Sequence, residues 1–404
     1  MSNPNNVSLN INHTLEFIDG NALNIPTLSI LTEDGDIHPS ATAPAISKHT
    51  AIKLYETMRF IRLLDERMQG AQRQGRVSFY MQCLGEEAAV TASAAALDQE
   101  DMIMAQYREQ AALHYRGFTL DQFMNQMFSN ELDLGKGRQM PIHYGSNELN
   151  YMTISSPLGT QIPQATGYAY GQKVKHIDAK TGELASTIDN VTICYFGEGA
   201  ASEGDFHAGL NMAAVHKAPV IFFARNNGYA ISTPADEQFK GDGIASRGVG
   251  YGIKTIRVDG TDALAVFEAT QKAREIASTQ GEPVLIESIA YRLGAHSTSD
   301  DPSGYRSKDE EANYKTCPIE KFKKWLVKQQ WLNEEDDLKA KESIREDILA
   351  ALKRAEVVQK PALEELVSDV YDTPIPSLVR QYNELKEHIQ KHPDAYPVTA
   401  GRIK

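Results

Sequence analysis

Residues 191–233 constrain this chain more than any other stretch. VTICYFG (191–197) is a short apolar run rich in β-branched and aromatic residues, and PVIFFAR (219–225) is another. Between them, Phe206, Leu210 and Ala214 recur at helical spacing. Strand, helix and strand in that order form a βαβ unit, whose two strands are parallel and finish on one edge of the sheet. Ser202, followed three residues on by Asp205, predicts a capping-box-like start for a helix over 202–217. Glu198, in Gly-Glu-Gly, and Asn227, in Asn-Asn, then lie just beyond the two strand ends, although 29 positions separate them in sequence. If the strands are neighbours, a carboxylate oxygen and an amide oxygen converge there.

The rest of the chain fits around this unit. DMIMA (101–105), KTIRV (254–258) and PVLIESIAY (283–291) are further short runs that are apolar on both faces, the pattern of strands covered by helices on each side. The expected fold is α/β, an open and mostly parallel sheet flanked by helices, with an N-terminal arm and a helical C-terminal part. The boundaries read as an arm over 1–47, the α/β domain over 48–316 and a helical region over 317–404 packing on that domain. One stripe of the last region carries Ile319, Phe322, Trp325 and Leu326; another carries Ile344, Ile348 and Leu352.

Composition excludes several functions. With 54 acidic against 41 basic residues the net charge is −13, which repels phosphate backbones and argues against nucleic acid as a partner. Cys83, Cys194 and Cys317 form no metal-ligand or disulfide spacing. No apolar run approaches the roughly 18 residues of a membrane span. The first residues, MSNPNNVSLNINH, show neither a secretory nor an Arg-rich transit pattern, so the expected location is cytoplasmic.

Hard oxygen donors at the carboxyl edge of such a sheet suit magnesium, which completes its octahedron with ligand phosphates. The helix start after Glu198 offers backbone donors to the same anion, and Arg225 adds a bidentate phosphate donor. Small Gly199, Ala200 and Ala201 permit close backbone approach. Taken singly, Gly-x-Gly and Asn-Asn are also ordinary turn chemistry. A dinucleotide fingerprint fails because Ser202 stands where its last glycine belongs, and no P-loop lysine motif occurs. A metal-dependent hydrolase would need more protein ligands than this unit offers.

These residues resemble the thiamine-diphosphate motif. FYMQCLGEEA, QYRE, DLGKGRQMPIHYG, ISSPLGTQIPQATG, FFARNNGYAIST and RLGAHSTSDDPSGYR together resemble the alpha subunits of branched-chain 2-oxoacid dehydrogenases, from about residue 50 to 390. The resemblance implies that Glu198, Asn227 and the carbonyl of Tyr229 hold magnesium. It implies that Tyr107, Arg108, Ser156, Gly199, Ala200, Arg225 and His296 contact the cofactor. His296 is then also the catalytic residue beside the reacting centre, whereas a lone loop histidine is ordinarily a surface residue. Ser155, Pro157, Thr160 and Gln161 match a potassium loop, although SSPLGTQ alone reads as a helix start. Phe79, Gln106 and Tyr107 are implied as the substrate pocket, though Phe79 also fits a simple core position. Ser297 matches a serine phosphorylated in animal members, where ~−1.5 to −2 of charge obstructs the site; an unmodified loop serine is the other reading.

The implied activity is oxidative decarboxylation of branched-chain 2-oxo acids and reductive acyl transfer to a lipoyl group. The implied partners are a beta subunit in an α2β2 assembly, which supplies the glutamate that activates the cofactor, and a lipoyl-bearing acyltransferase. The alternatives are a pyruvate-specific alpha subunit and, from another class, a non-catalytic subunit that binds a phosphate ligand. Pro163, Gly167 and Gly171 fall at spacing four on one helical face and predict close packing, at a subunit contact or against the sheet.

Overall fold

The computed structural model describes residues 12–314, 316–368 and 370–396. The targeting reading of the first residues therefore lies largely outside the described chain. Among the described residues, eight strands run β1 Thr27–Leu28, β2 Met102–Met104, β3 Thr192–Gly197, β4 Val220–Asn226, β5 Tyr229–Ala230, β6 Thr233–Pro234, β7 Lys254–Asp259 and β8 Val284–Ile289. Six form one sheet in the order β1-β7-β8-β4-β3-β2, and every pair in it is parallel. β5 and β6 make a small antiparallel hairpin just past β4.

Strand residues alternate between two cores, as a period of two demands. Ile193, Tyr195, Ile221 and Phe223 face one cluster; Cys194, Phe196, Phe222 and Ala224 face the other. The first cluster is covered by helices Lys48–Arg73, Glu87–Ala95 and Ala263–Gln280. It continues into helices Pro318–Lys328 and Glu334–Glu356 through Ile319, Phe322, Trp325, Leu326, Ile348 and Leu352. The second is covered by helices Gln161–Val174 and Gly204–His216.

Two local expectations change. The crossover helix begins at Gly204, because Ala200–Ser202 form a separate 3-10 turn; its N-cap is Glu203 and no side chain caps it. Ser202 instead donates to the Glu198 carbonyl at 3.4 Å, so there is no capping box. The arm, read as irregular, contains β1, which pairs with β7 at Thr27↔Arg257 and Leu28↔Val258. Asp262 fastens it further by accepting the N–H groups of Ile30 and Leu31, each at 2.6 Å.

Candidate active site

The ends of β2, β3, β4 and β8 surround a cleft of about 180 Å³ at the carboxyl edge of the sheet. β3 and β4 are direct neighbours with Gly197 opposite Arg225, so Glu198 and Asn227 meet. The Asn227 N–H points to Glu198 Oε2 at 3.4 Å, and both residues are buried. Burial, and to a smaller degree the nearby Glu86, push the Glu198 carboxyl above its ordinary pKa. A buried carboxylate in that condition is short of positive charge, which a cation would supply.

The donor set fits a divalent ion that shares a phosphate ligand. Among the described residues, no group of three or more His, Cys, Asp or Glu side chains is placed to hold a metal. One carboxylate, one amide and one carbonyl therefore need a ligand's oxygens to complete the shell. The Tyr229 carbonyl accepts from Arg292 Nη1 at 3.2 Å, leaving one lone pair available. Gly199 and Ala200 line the cleft. A Cβ at Gly199 would lie 2.8 Å from the Ala230 Cβ, so the small residue is required where the β5–β6 hairpin closes over the turn.

Cationic side chains also line the cleft. Arg108, after β2, donates to the His296 carbonyl at 2.6 Å, lies 3.2 Å from its Nδ1 and also reaches the Gln82 carbonyl. Arg292, after β8, holds the Ile231 carbonyl at 2.6 Å, and its buried Nε has no partner among the described residues. His296 stands edge-on to Tyr107, with ring centroids 5.9 Å apart. Burial first, then Arg108 and Arg292, push the imidazole pKa down to about 3, outweighing Asp300. His296 is therefore neutral at physiological pH, with Asp300 accepting its backbone N–H at 2.7 Å.

Arg225 lines the cleft but is more committed than expected. Nη1 donates to Glu86 Oε2 at 2.6 Å and Nε pairs with Glu109 Oε1 at 2.5 Å. Burial opposes the charge, yet Glu109 and Glu86 hold the guanidinium firmly protonated. Nη1 is thus engaged by a hydrogen bond and Nε by an ion pair, which leaves N–H groups on Nη1 and Nη2 for a phosphate.

Other expected residues divide. Gln106 lines the cleft and accepts the Gly197 N–H at 2.9 Å. Ser156 is exposed and outside the cleft lining: the turn through Gly159, at φ +78°, brings Leu158 to the cleft instead. Phe79 packs on the main core and is also outside the lining; its neighbour Tyr80 pairs with Thr298 in the His296 loop. Thr160 Oγ1 lies 3.3 Å from both Ser155 Oγ and the Pro157 carbonyl, while Gln161 is anchored to the Tyr195 carbonyl at 3.1 Å. Glu86, Glu109 and Arg292 carried no sequence-based role, although QYRE and YRLG follow the strands β2 and β8 and GEEA opens the helix Glu87–Ala95.

A family model described as dehydrogenase E1 component matches residues 55–364. The 2-oxoisovalerate dehydrogenase subunit alpha 1, mitochondrial, of Arabidopsis thaliana is 48% identical over 386 residues, 95% of this chain and 79% of that protein. The Homo sapiens 2-oxoisovalerate dehydrogenase subunit alpha, mitochondrial, is 47% identical over 388 residues, 95% and 84% respectively. The Dictyostelium discoideum counterpart is 48% identical over 377 residues, 93% and 83%. These relatives overturn the cytoplasmic expectation, since each is named as mitochondrial. With matches of that extent, the chain belongs to the dehydrogenase E1 component family, among the alpha subunits of 2-oxoisovalerate dehydrogenases.

Proposed function

We propose that this chain is the alpha subunit of a 2-oxoacid dehydrogenase that oxidatively decarboxylates branched-chain 2-oxo acids and passes the acyl group to a lipoyl-bearing acyltransferase. The carrying observation is the meeting of Glu198 and Asn227 at neighbouring strand ends, in one cleft with Arg108, Arg292 and His296. Thiamine diphosphate, when bound, supplies the carbon nucleophile and electron sink for decarboxylation. Glu198, Asn227 and the Tyr229 carbonyl would hold magnesium, and Gly199, Ala200 and Tyr107 would shape the diphosphate pocket. Arg108 and the remaining N–H groups of Arg225 would bind phosphate oxygens. The potassium reading rests on the Ser155, Pro157 and Thr160 oxygens gathered in one turn and steadies the Gln161 anchor.

Neutral His296 can accept or donate a proton at its ring nitrogens beside the reacting centre. Gln106 and Tyr107 form this chain's share of the substrate wall, with Phe79 behind the His296 loop. The names of the relatives favour 2-oxoisovalerate, which is 3-methyl-2-oxobutanoate, over pyruvate. Two extra buried carbons are worth about 1.6 kcal/mol, a preference of about fifteenfold. Steady-state kinetics of the assembled enzyme across several 2-oxo acids should show that ratio; a higher kcat/KM for pyruvate would reject the substrate assignment. A silent phosphate-binding subunit would not need the Glu198–Asn227 pair, and its ligand binding would be indifferent to magnesium.

The Gly167 and Gly171 face is open. A Cβ at either would meet nothing within 4 Å, while Ile162, Ala165, Thr166 and Ala169 pack inward on the opposite side. Tyr168, Tyr170 and Val174 on this helix, and Met212 and Val215 on the adjacent helix Gly204–His216, are exposed. That pattern favours a subunit contact over internal packing. Gly167→Leu should shift the α2β2 assembly toward smaller species in sedimentation; unchanged size with full activity would count against the contact.

A further inference from the structure

We propose that Glu86 is a positioning residue that fixes which end of the Asn227 amide faces the cation site, an inference that rests on the magnesium reading above. Glu86 is 0% exposed and precedes the helix Glu87–Ala95 without capping it. Its two oxygens are divided between Arg225 and Asn227 at the end of β4. Oε2 takes Arg225 Nη1 at 2.6 Å and Oε1 takes Asn227 Nδ2 at 2.8 Å. Paired with Arg225, the carboxylate is an acceptor only, so only the NH2 end of Asn227 can face it. The amide's other end, Oδ1, is thereby turned away from Glu86, where it accepts the Tyr229 N–H at 3.3 Å in the cleft-lining loop. Were the amide reversed, an NH2 group would be presented to a cation.

Glu109 serves as a second clamp on the same arginine. Its Oε1 meets Arg225 Nε at 2.5 Å, and its Oε2 accepts the N–H groups of Gln106 and Arg108 at 2.9 and 3.1 Å. Arg225 is thus fixed from both sides, which in turn fixes Glu86. Groups that orient a metal ligand this way are tuned as closely as the ligands.

A polarity swap tests the proposal. In Glu86→Gln one acceptor becomes a donor, and the introduced side-chain amide favours Oδ1 of Asn227 over its NH2. Adding Asn227→Asp restores every bond. The introduced amide's carbonyl accepts from Arg225, and its NH2 donates to one oxygen of the introduced carboxylate. The other carboxylate oxygen faces the cation. The total charge of the double variant equals that of the native pair. The probe is Mn2+ with thiamine diphosphate, titrated into the α2β2 enzyme and followed by the electron paramagnetic resonance of free Mn2+. Glu86→Gln should weaken Mn2+ binding about 10- to 100-fold, and the double variant should return to within about threefold of native because the two sites are directly coupled. Native-like Mn2+ affinity in Glu86→Gln, or a double variant no better than the single one, would overturn the proposal. If Glu86→Gln fails to assemble, the double variant decides: assembly with near-native affinity supports the swap, and failure overturns it. Glu198→Ala run alongside separates the two levels, since unchanged Mn2+ binding there would bring down the cation site itself rather than the role of Glu86.

Discussion

Replacing Glu198 with alanine will abolish magnesium-dependent retention of thiamine diphosphate while leaving the cofactor-free protein as stable as the native one, or more so. The two halves of this expectation share one cause. Glu198 is buried at the end of β3, and both its desolvation and the neighbouring Glu86 disfavour its charge. Its folded pKa lies above the unfolded value, so the ionised carboxylate destabilises the cofactor-free fold as pH rises above that unfolded value. Alanine removes this penalty, the usual pattern for a residue held ready for a ligand. The same deletion strips the cation of its one carboxylate, since Asn227 and the Tyr229 carbonyl are neutral. Loss of an outer partner alone costs a metal site about 10–100-fold, so loss of the charged ligand should cost more than about 100-fold in cofactor affinity. Calorimetric titration of thiamine diphosphate with and without magnesium measures the first half, and thermal unfolding of the cofactor-free enzyme the second. Undiminished affinity in the variant would remove Glu198 from the metal site; a collapse of the unfolding temperature would make its role structural.

Why Glu198, Asn227 and Arg225 were legible while Glu86 was not is a matter of what local pattern encodes. The apolar runs 191–197 and 219–225 alternate between two cores, so their ends, and the residues just past them, follow from strand length alone. Glu86 and Glu109 begin helices, where an acidic residue is ordinarily a solvated partner of the helix dipole. Their burial depends on Arg225, 139 positions beyond Glu86, and no spacing rule reports such a pair. The resemblance pointed to the cofactor residues but gave no hint that two carboxylates already occupy Arg225. β1 was hidden for a related reason: two residues cannot show a period, and their partners Arg257 and Val258 lie 230 positions away. The capping-box reading of Ser202 failed because the 3-10 turn Ala200–Ser202 sits between the strand and the helix. That turn passes close to the β5–β6 hairpin at Gly199 and Ala230, and Arg247 donates to its Ala201 carbonyl, contacts that no local pattern encodes. Ser156 is kept out by the turn at Gly159, which brings Leu158 to the cleft, and Phe79 packs on the main core instead.

The purified chain by itself should decarboxylate 3-methyl-2-oxobutanoate at no measurable rate, and addition of its beta subunit should restore full turnover. Apart from Leu158, the cleft residues lie at or just past the carboxyl ends of β2, β3, β4 and β8, so this chain builds one wall only. That wall suits an anion and a cation. Its lining carboxylates are Glu198, beside Asn227, and the exposed Glu203 at the start of the crossover helix, while Glu86 and Glu109 lie behind it, paired with Arg225. The mouth is also unfinished in apolar terms: Leu158 and Ile231 line it yet remain 39% and 50% exposed. Further out, helix Pro376–Lys391 has no buried residue, and Leu366, Val370, Tyr371 and Val379 around it are exposed. Apolar surface left uncovered at a cleft and on an amphipathic helix marks where other chains dock. Two copies of this chain could cover each other's mouths, but each would then present a diphosphate wall to a diphosphate wall. Arg108, Arg292 and His296 would meet their own images, and no surface would remain for the uncharged ring. A beta subunit that brings a different wall, with the activating glutamate, removes that conflict. Turnover with an artificial electron acceptor, measured on the chain with and without the beta subunit, decides between the two. Robust activity of the chain alone would overturn the half-site reading and the α2β2 assembly together.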